Sequence, residues 1–225
     1  MTVINWISDK YIEVFGAITG IVYVFLEIRQ NIWLWPVGVI TSSVYIWVFF
    51  TGKFYADMSL QCYYLVISII GWYWWSEGRG QGDVSSTSHE IKQISVTHIT
   101  RKTAITLSMV FVLLYTGLWF FLDRLTDSPV KEWDSFITSL SIIATWMLAR
   151  KIYEHWYLWI IVNFASVVIF VVRGLYPTVV LYAVYGIMSF AGLWEWSKTI
   201  RQPLQEKLSP EHSDPGKEKN KKNYD

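Results

Sequence analysis

The 225-residue sequence is 53% hydrophobic and only 16% charged, against roughly a quarter charged in an ordinary soluble domain. No soluble fold hides that much apolar surface, so the composition excludes a water-soluble enzyme and predicts an all-α membrane protein. The formal net charge of +1 excludes the basic footprint of a nucleic-acid partner.

Met1 to Lys10 lack a basic stretch followed by a cleavable apolar run, so the first apolar segment is expected to stay in the mature chain. A membrane-crossing helix needs about 20 mostly apolar residues. That length predicts seven spans, at 12–29, 33–51, 57–77, 102–122, 134–150, 155–172 and 177–197. The joints carry turn and charge signals at Arg29-Gln30-Asn31, Thr51-Gly52-Lys53, Arg150-Lys151 and Arg173-Gly174. The fifth span is the most polar, with Ser135, Thr138, Ser139, Ser141 and Thr145. Residues 78–101 are Gly/Ser-rich and polar, and the tail 198–225 is rich in Lys and Glu. Both read as flexible and cytoplasmic, with 123–133 as an outer loop. Basic residues gather in alternate joints, at Arg29, at Arg79 to Lys102, at Arg150-Lys151 and in the tail, which predicts an outside N-terminus and a cytoplasmic C-terminus.

The two halves of the chain repeat. Trp35 aligns with Trp159 and, after a short gap, Gly52 with Gly174, Phe54 with Tyr176, Tyr63 with Tyr185, Trp72 with Trp194 and Trp74 with Trp196. The resulting plan is a 3+1+3 arrangement of two three-helix repeats, 1–77 and 134–197, joined by a linker helix at 102–122. Because that extra helix returns the chain to the starting face, the repeats are parallel, a plan that places a substrate site between them near the midplane.

Polar and aromatic side chains that share a face at membrane depth mark candidate sites, since they are costly in lipid. Trp156, Trp159 and Asn163 stand at i, i+3 and i+7 on the sixth helix, with Asn163 about 10 Å deeper than Trp156 by helical rise. Flat rings offer stacking and the amide offers directional hydrogen bonds. Interface-belt tryptophans plus an interhelical amide bond would also account for them. Gln61, Tyr64, Ser68 and Trp72 follow the same spacing on the third helix, Trp35, Ser42 and Tyr45 on the second, and Tyr182, Tyr185 and Ser189 on the seventh. Packing alone would also explain the last two stripes. Glu27 and Glu195, near helix ends, read most simply as snorkelling toward headgroups. The single cysteine, Cys62, and four scattered histidines give no disulfide, metal or cofactor site, and no catalytic set or Walker motif appears.

These residues resemble the PnuC family of vitamin transporters. The resemblance rests on Trp156-x-x-Trp159-x-x-x-Asn163, on Lys53-Phe54-Tyr55-Ala56-Asp57 leading to Leu60-Gln61, on Gly71-Trp72-Tyr73, and on Gly192-Leu193-Trp194-Glu195-Trp196. It spans residues 12–200. It implies a fold similar to full-length SWEET sugar transporters, and facilitated diffusion of nicotinamide riboside across a bacterial inner membrane. A cytoplasmic kinase would then phosphorylate the vitamin and trap it. By the same resemblance Trp156, Trp159 and Asn163 hold the substrate with Gln61 across the pocket, Trp35, Tyr64, Ser68 and Tyr185 complete the lining, and the chain forms a trimer. Relatives of this kind carry thiamine or riboflavin, so a thiamine transporter is the alternative, ahead of a sugar carrier or a non-transporting receptor.

Overall fold

The computed structural model describes residues 11–51, 53, 55–77, 95–125 and 130–208. Seven helices cover nearly all of them: α1 Tyr11–Ile28, α2 Leu34–Thr51, α3 Tyr55–Glu77, α4 Arg101–Leu125, α5 Lys131–Ala149, α6 His155–Val172 and α7 Tyr176–Leu208. No strand occurs among the described residues, only an isolated bridge between Thr97 and Ile152. α2, α4, α6 and α7 are each long and apolar enough to cross a membrane on their own.

The helices fall where the hydropathy of the chain predicts them, with two differences. α7 continues through Pro203 to Leu208, so the first part of the expected tail is helical, and 209–225 lie outside the described residues. Of the polar stretch 78–101, residues 78–94 are likewise outside, but 95–100 are extended and tied to the α5–α6 joint. Thr97 N–H donates to Lys151 O at 3.1 Å and Tyr153 N–H donates to Thr97 O at 2.9 Å. Glu154 adds a bond from Ile99 N–H at 2.9 Å and one with the His98 ring at 2.8 Å. The expected flexibility therefore does not extend to this end of the loop.

α5 explains its own polarity. It packs between α3, α4 and α6, so its small hydroxyl residues face protein, where close helix approach favours them. Three donors return to the helix itself, Ser139 to Ser135 O, Ser141 to Ile137 O and Thr145 to Ser141 O, at 2.7–2.8 Å, while the buried Ser135 hydroxyl has no partner among the described residues.

Neighbouring helices close a ring in the order α1, α2, α3, α5, α6, α7 and back to α1, while α4 lies outside and packs on α5. The same contacts recur in the two halves. Trp35 of α2 lies on Gly71 of α3, and Trp156 of α6 lies on Gly192 of α7. Trp35 meets Trp75 edge-on at 5.3 Å, as Trp156 meets Trp196 at 5.8 Å.

Helix ends match too. Gln30 and Lys151 take φ of 51° and 50° after α1 and α5, and Lys53 and Gly174 take 60° and 70° after α2 and α6. These are the left-handed residues that close a helix, and Asn31 N–H to Leu26 O, Ile152 N–H to Met147 O and Leu175 N–H to Phe170 O, all 2.9 Å, complete the caps. Every pair has one constant sequence separation, which matches Trp35 with Trp156, Lys53 with Gly174, Tyr64 with Tyr185 and Trp75 with Trp196. The alignment by tryptophan identity, with Trp35 on Trp159 and Trp74 on Trp196, is corrected accordingly.

Candidate functional site

The starts of α2 and α6, the later part of α3 and the middle of α7 meet at one end of the ring. There Leu34, Trp35, Ile67, Leu148, Ala149, Trp156 and Trp196 form a buried cluster, with Tyr23, Tyr64 and Trp159 packed against it. Four of the eight candidate residues, Trp35, Tyr64, Trp156 and Trp159, are thus brought together. Trp35 and Trp156 are fully buried, wedged where a glycine on the facing helix leaves room for a ring. Their indole N–H groups and that of Trp159 are buried with no acceptor among the described residues, and a buried donor is seldom left so.

Deeper along α6, Asn163 is buried and donates from Nδ2 to Ser189 Oγ of α7 at 3.1 Å, and Ser189 donates in turn to Tyr185 O at 2.8 Å. Asn163 and Tyr185 therefore sit in one polar chain, and the Tyr185 ring lies 5.8 Å from that of Tyr182. Ser68 is buried against Gly38 of α2, next to Tyr23. Gln61 is half-buried, one turn from Tyr64 on α3, and among the described residues no side-chain hydrogen bond joins it to the others. Trp72, on the same sequence stripe, is 45% exposed and faces away. Tyr45 of α2 and Tyr185 of α7 press their hydroxyls toward Gly16 and Gly20 of α1, so α1 is gripped from both sides. A cavity of about 450 Å³ lies elsewhere, between α3, α4 and α5, and none of the eight candidates lines it.

The sequence reads Glu27 as snorkelling and passes over His155. Both are buried, and His155 Nε2 lies 3.1 Å from Glu27 Oε1. Glu27 therefore faces α6 instead of snorkelling. An acid and a histidine 128 residues apart carry no spacing signal; only packing pairs them.

Cations collect at the same end. Arg150 lies over the Trp74 and Trp146 rings at 5.1 and 5.7 Å, and Lys151 over Trp75 at 4.3 Å. Burial pushes the Lys151 ammonium down to about 8, while the facing indole works to keep it charged.

Comparison with known proteins gives this geometry a context. The profile described as "Nicotinamide mononucleotide transporter" matches residues 10–198. The chain is similar to the nicotinamide riboside transporter PnuC of Escherichia coli, 27% identical over 216 residues, covering 89% of this chain and 90% of that one. It is also similar to the riboflavin/roseoflavin transporter RibM of Streptomyces davaonensis, 23% identical over 202 residues, covering 85% and 92%. Among solved structures, the crystal structure of the vitamin B3 transporter PnuC matches with a TM-score of 0.67 at 22% identity, over 89% of this chain and 86% of that one. At that identity the likeness speaks for the fold.

Proposed function

Because the chain belongs to the nicotinamide mononucleotide transporter family, whose PnuC members are vitamin transporters, we propose that it carries nicotinamide riboside. The observation that carries this reading is the face of α6, where buried Trp156, half-buried Trp159 and buried Asn163 follow one another. Two indole donors on that face, and a third on Trp35, have no protein acceptor among the described residues. A pyridinium ring gains from an indole face by about 0.5–2 kcal/mol. Ribose hydroxyls and a carboxamide oxygen suit indole N–H donors, and Asn163 offers both a donor and an acceptor. Tyr64, Ser68 and Tyr185 complete the lining, with Gln61 reaching it from α3.

Two parallel three-helix repeats, α1–α3 and α5–α7, form the carrier, with α4 as the linker that returns the chain to the starting face. The recurring Trp–Gly contacts support this. The end that gathers Arg150, Lys151 and the tryptophan cluster faces the cytoplasm of a bacterial inner membrane, which puts the N-terminus outside. Movement is passive, and phosphorylation by a cytoplasmic kinase retains the vitamin. The functional unit is a trimer, which light scattering of the detergent-solubilised protein tests directly.

The substrate is tested by calorimetric titration with nicotinamide riboside, thiamine and riboflavin side by side. The riboside binds, and Trp159→Ala and Asn163→Ala each weaken it by about tenfold or more, the scale of a lost stacking or amide contact. Thiamine binding without a response to the riboside overturns the substrate and leaves the fold untouched. In proteoliposomes, uptake stops at equal concentrations on the two sides. Accumulation that an ionophore abolishes overturns passive movement.

A further inference from the structure

We propose that Glu27 and His155 form a proton-holding latch across the seam between the two halves, and that transport requires this latch to part. The inference rests on the transporter reading above.

The geometry fixes one proton. His155 Nδ1 is 2.7 Å from Ile152 O, and a carbonyl only accepts, so Nδ1 carries a hydrogen. On the other side of the ring, Nε2 lies 3.1 Å from Glu27 Oε1. A bare imidazole nitrogen and a carboxylate oxygen cannot donate to each other, so a proton lies between them. On either atom it leaves the pair electrically neutral, as full burial demands. Trp196 closes over the pair: its indole N–H donates to Glu27 O at 3.1 Å, and its ring lies 4.7 Å from that of His155. One contact set thus joins α1 to α6 and α7.

The matching seam shows that packing does not require this chemistry. At the constant separation that relates the halves, Glu27 corresponds to Leu148 and His155 to Leu34. Both leucines are fully buried and belong to one cluster. The same backbone thus accepts an apolar pair in one seam and holds an acid–base pair in the other. An ion pair buried among apolar groups generally stabilises less than the apolar pair it displaces. What it adds is a contact with two states. With the proton present the seam is held; when the proton leaves to water at that membrane face, the Nε2 lone pair faces a carboxylate and the seam is repelled.

Surrounding charges leave the proton to this pair. On α1, Arg29 lies over Phe25, and Tyr23 is the titratable group one turn away. Glu154, beside His155, is engaged by His98 and Ile99, and Lys151 lies over Trp75. On α7, Glu195 and Lys198 pair with each other at the surface, and Tyr185 reaches toward Gly20. The titratable side chain of α2, Tyr45, reaches toward Gly16.

The test copies one seam into the other. Glu27→Leu with His155→Leu, and separately Glu27→Gln, whose amide donates to Nε2 but has no proton to lose, are reconstituted in proteoliposomes. Riboside exchange is followed as a function of pH. Both variants unfold at or above the wild-type temperature and bind the riboside within about twofold, yet exchange it about tenfold more slowly, one decade of rate. The wild type speeds up as pH rises, and the variants do not. Wild-type rate and pH profile in either folded variant overturns the latch. So does unfolding of the double leucine variant, which would make the pair a packing requirement. Failure of the wild type to bind the riboside instead overturns the substrate, and exchange is then read with the vitamin that does bind.

Discussion

Gly71 and Gly192 are each one methyl group from alanine, and neither position has room for it. A Cβ on Gly71 would stand 2.4 Å from the Trp35 ring, and one on Gly192 would stand 2.3 Å from that of Trp156. Both rings are fully buried, so neither swings aside, and overpacking of this kind costs about 1–3 kcal/mol. Gly71→Ala and Gly192→Ala should each lower thermal stability in detergent by that amount. Each should also weaken binding of the proposed riboside, because each displaces a ring of the candidate site; unchanged binding in Gly192→Ala would remove Trp156 from the site, and unchanged binding in Gly71→Ala would remove Trp35. Lys151 allows a pH test at the same scale. Its folded value of about 8 lies below the ordinary 10.5, so between those values the folded chain binds fewer protons than the unfolded one. The cost is present in full below about pH 8 and lifts as pH rises toward 10.5. Lys151→Met, which keeps the same backbone strain, should therefore be the more stable protein at pH 7 by about 1–3 kcal/mol, less the lost cation–π contact. Its advantage should shrink between pH 8 and 10 in thermal unfolding scans.

Among elements, the segment 95–100 is held by the Thr97 bridge, by buried Val96 and by one acidic side chain. Glu154 accepts from Ile99 N–H and bonds the His98 ring, while the Thr97 bridge runs alongside. Glu154→Ala should loosen the segment, raising amide exchange at Thr97 and Ile99 while α5 and α6 stay protected; unchanged exchange would show that the bridge and Val96 hold it. This attachment was illegible in the sequence, where the residues before it are Gly/Ser-rich and nothing marks Glu154 as a ligand for backbone. The helices were legible because hydropathy and length set them, and even polar α5 was found, three of its hydroxyls being absorbed by its own carbonyls. The repeat was legible but its register was not. Tryptophan recurs so often at 72, 74 and 75 that identity matching slides, and the left-handed turns at Gln30, Lys53 and Lys151 lack the glycine that would have marked them. Of the candidate site, the α6 face was proposed from spacing. The glycine seats beneath Trp35 and Trp156 were not, because they are properties of two helices.

At the scale of the molecule, the halves are joined by matching tryptophans. Trp75, at the end of the first half, donates its indole N–H across one seam to Ala149 O at 3.1 Å. Trp196, at the end of the second, donates across the other seam to Glu27 O, also at 3.1 Å. Trp75→Phe keeps most of the ring but strands the Ala149 carbonyl, which costs about 1–3 kcal/mol, whereas after Trp196→Phe the Glu27 carbonyl still accepts from Gln30 N–H at 3.0 Å, so one hydrogen bond of about 1 kcal/mol is lost there. Trp196 sits in the same buried cluster as Trp35, on which Trp75 packs. Loosening one seam therefore shifts the packing that the other relies on. Trp75→Phe and Trp196→Phe should be non-additive in thermal unfolding, with a coupling of about 0.5 kcal/mol or more, and the transition should remain single. Additive losses, or two transitions, would mean that the halves unfold independently and that the cluster does not bind them into one body. The same cycle measured on transport separates roles: coupling in stability without coupling in rate assigns the tryptophans to assembly, and leaves movement of the seams to the polar contacts beside them.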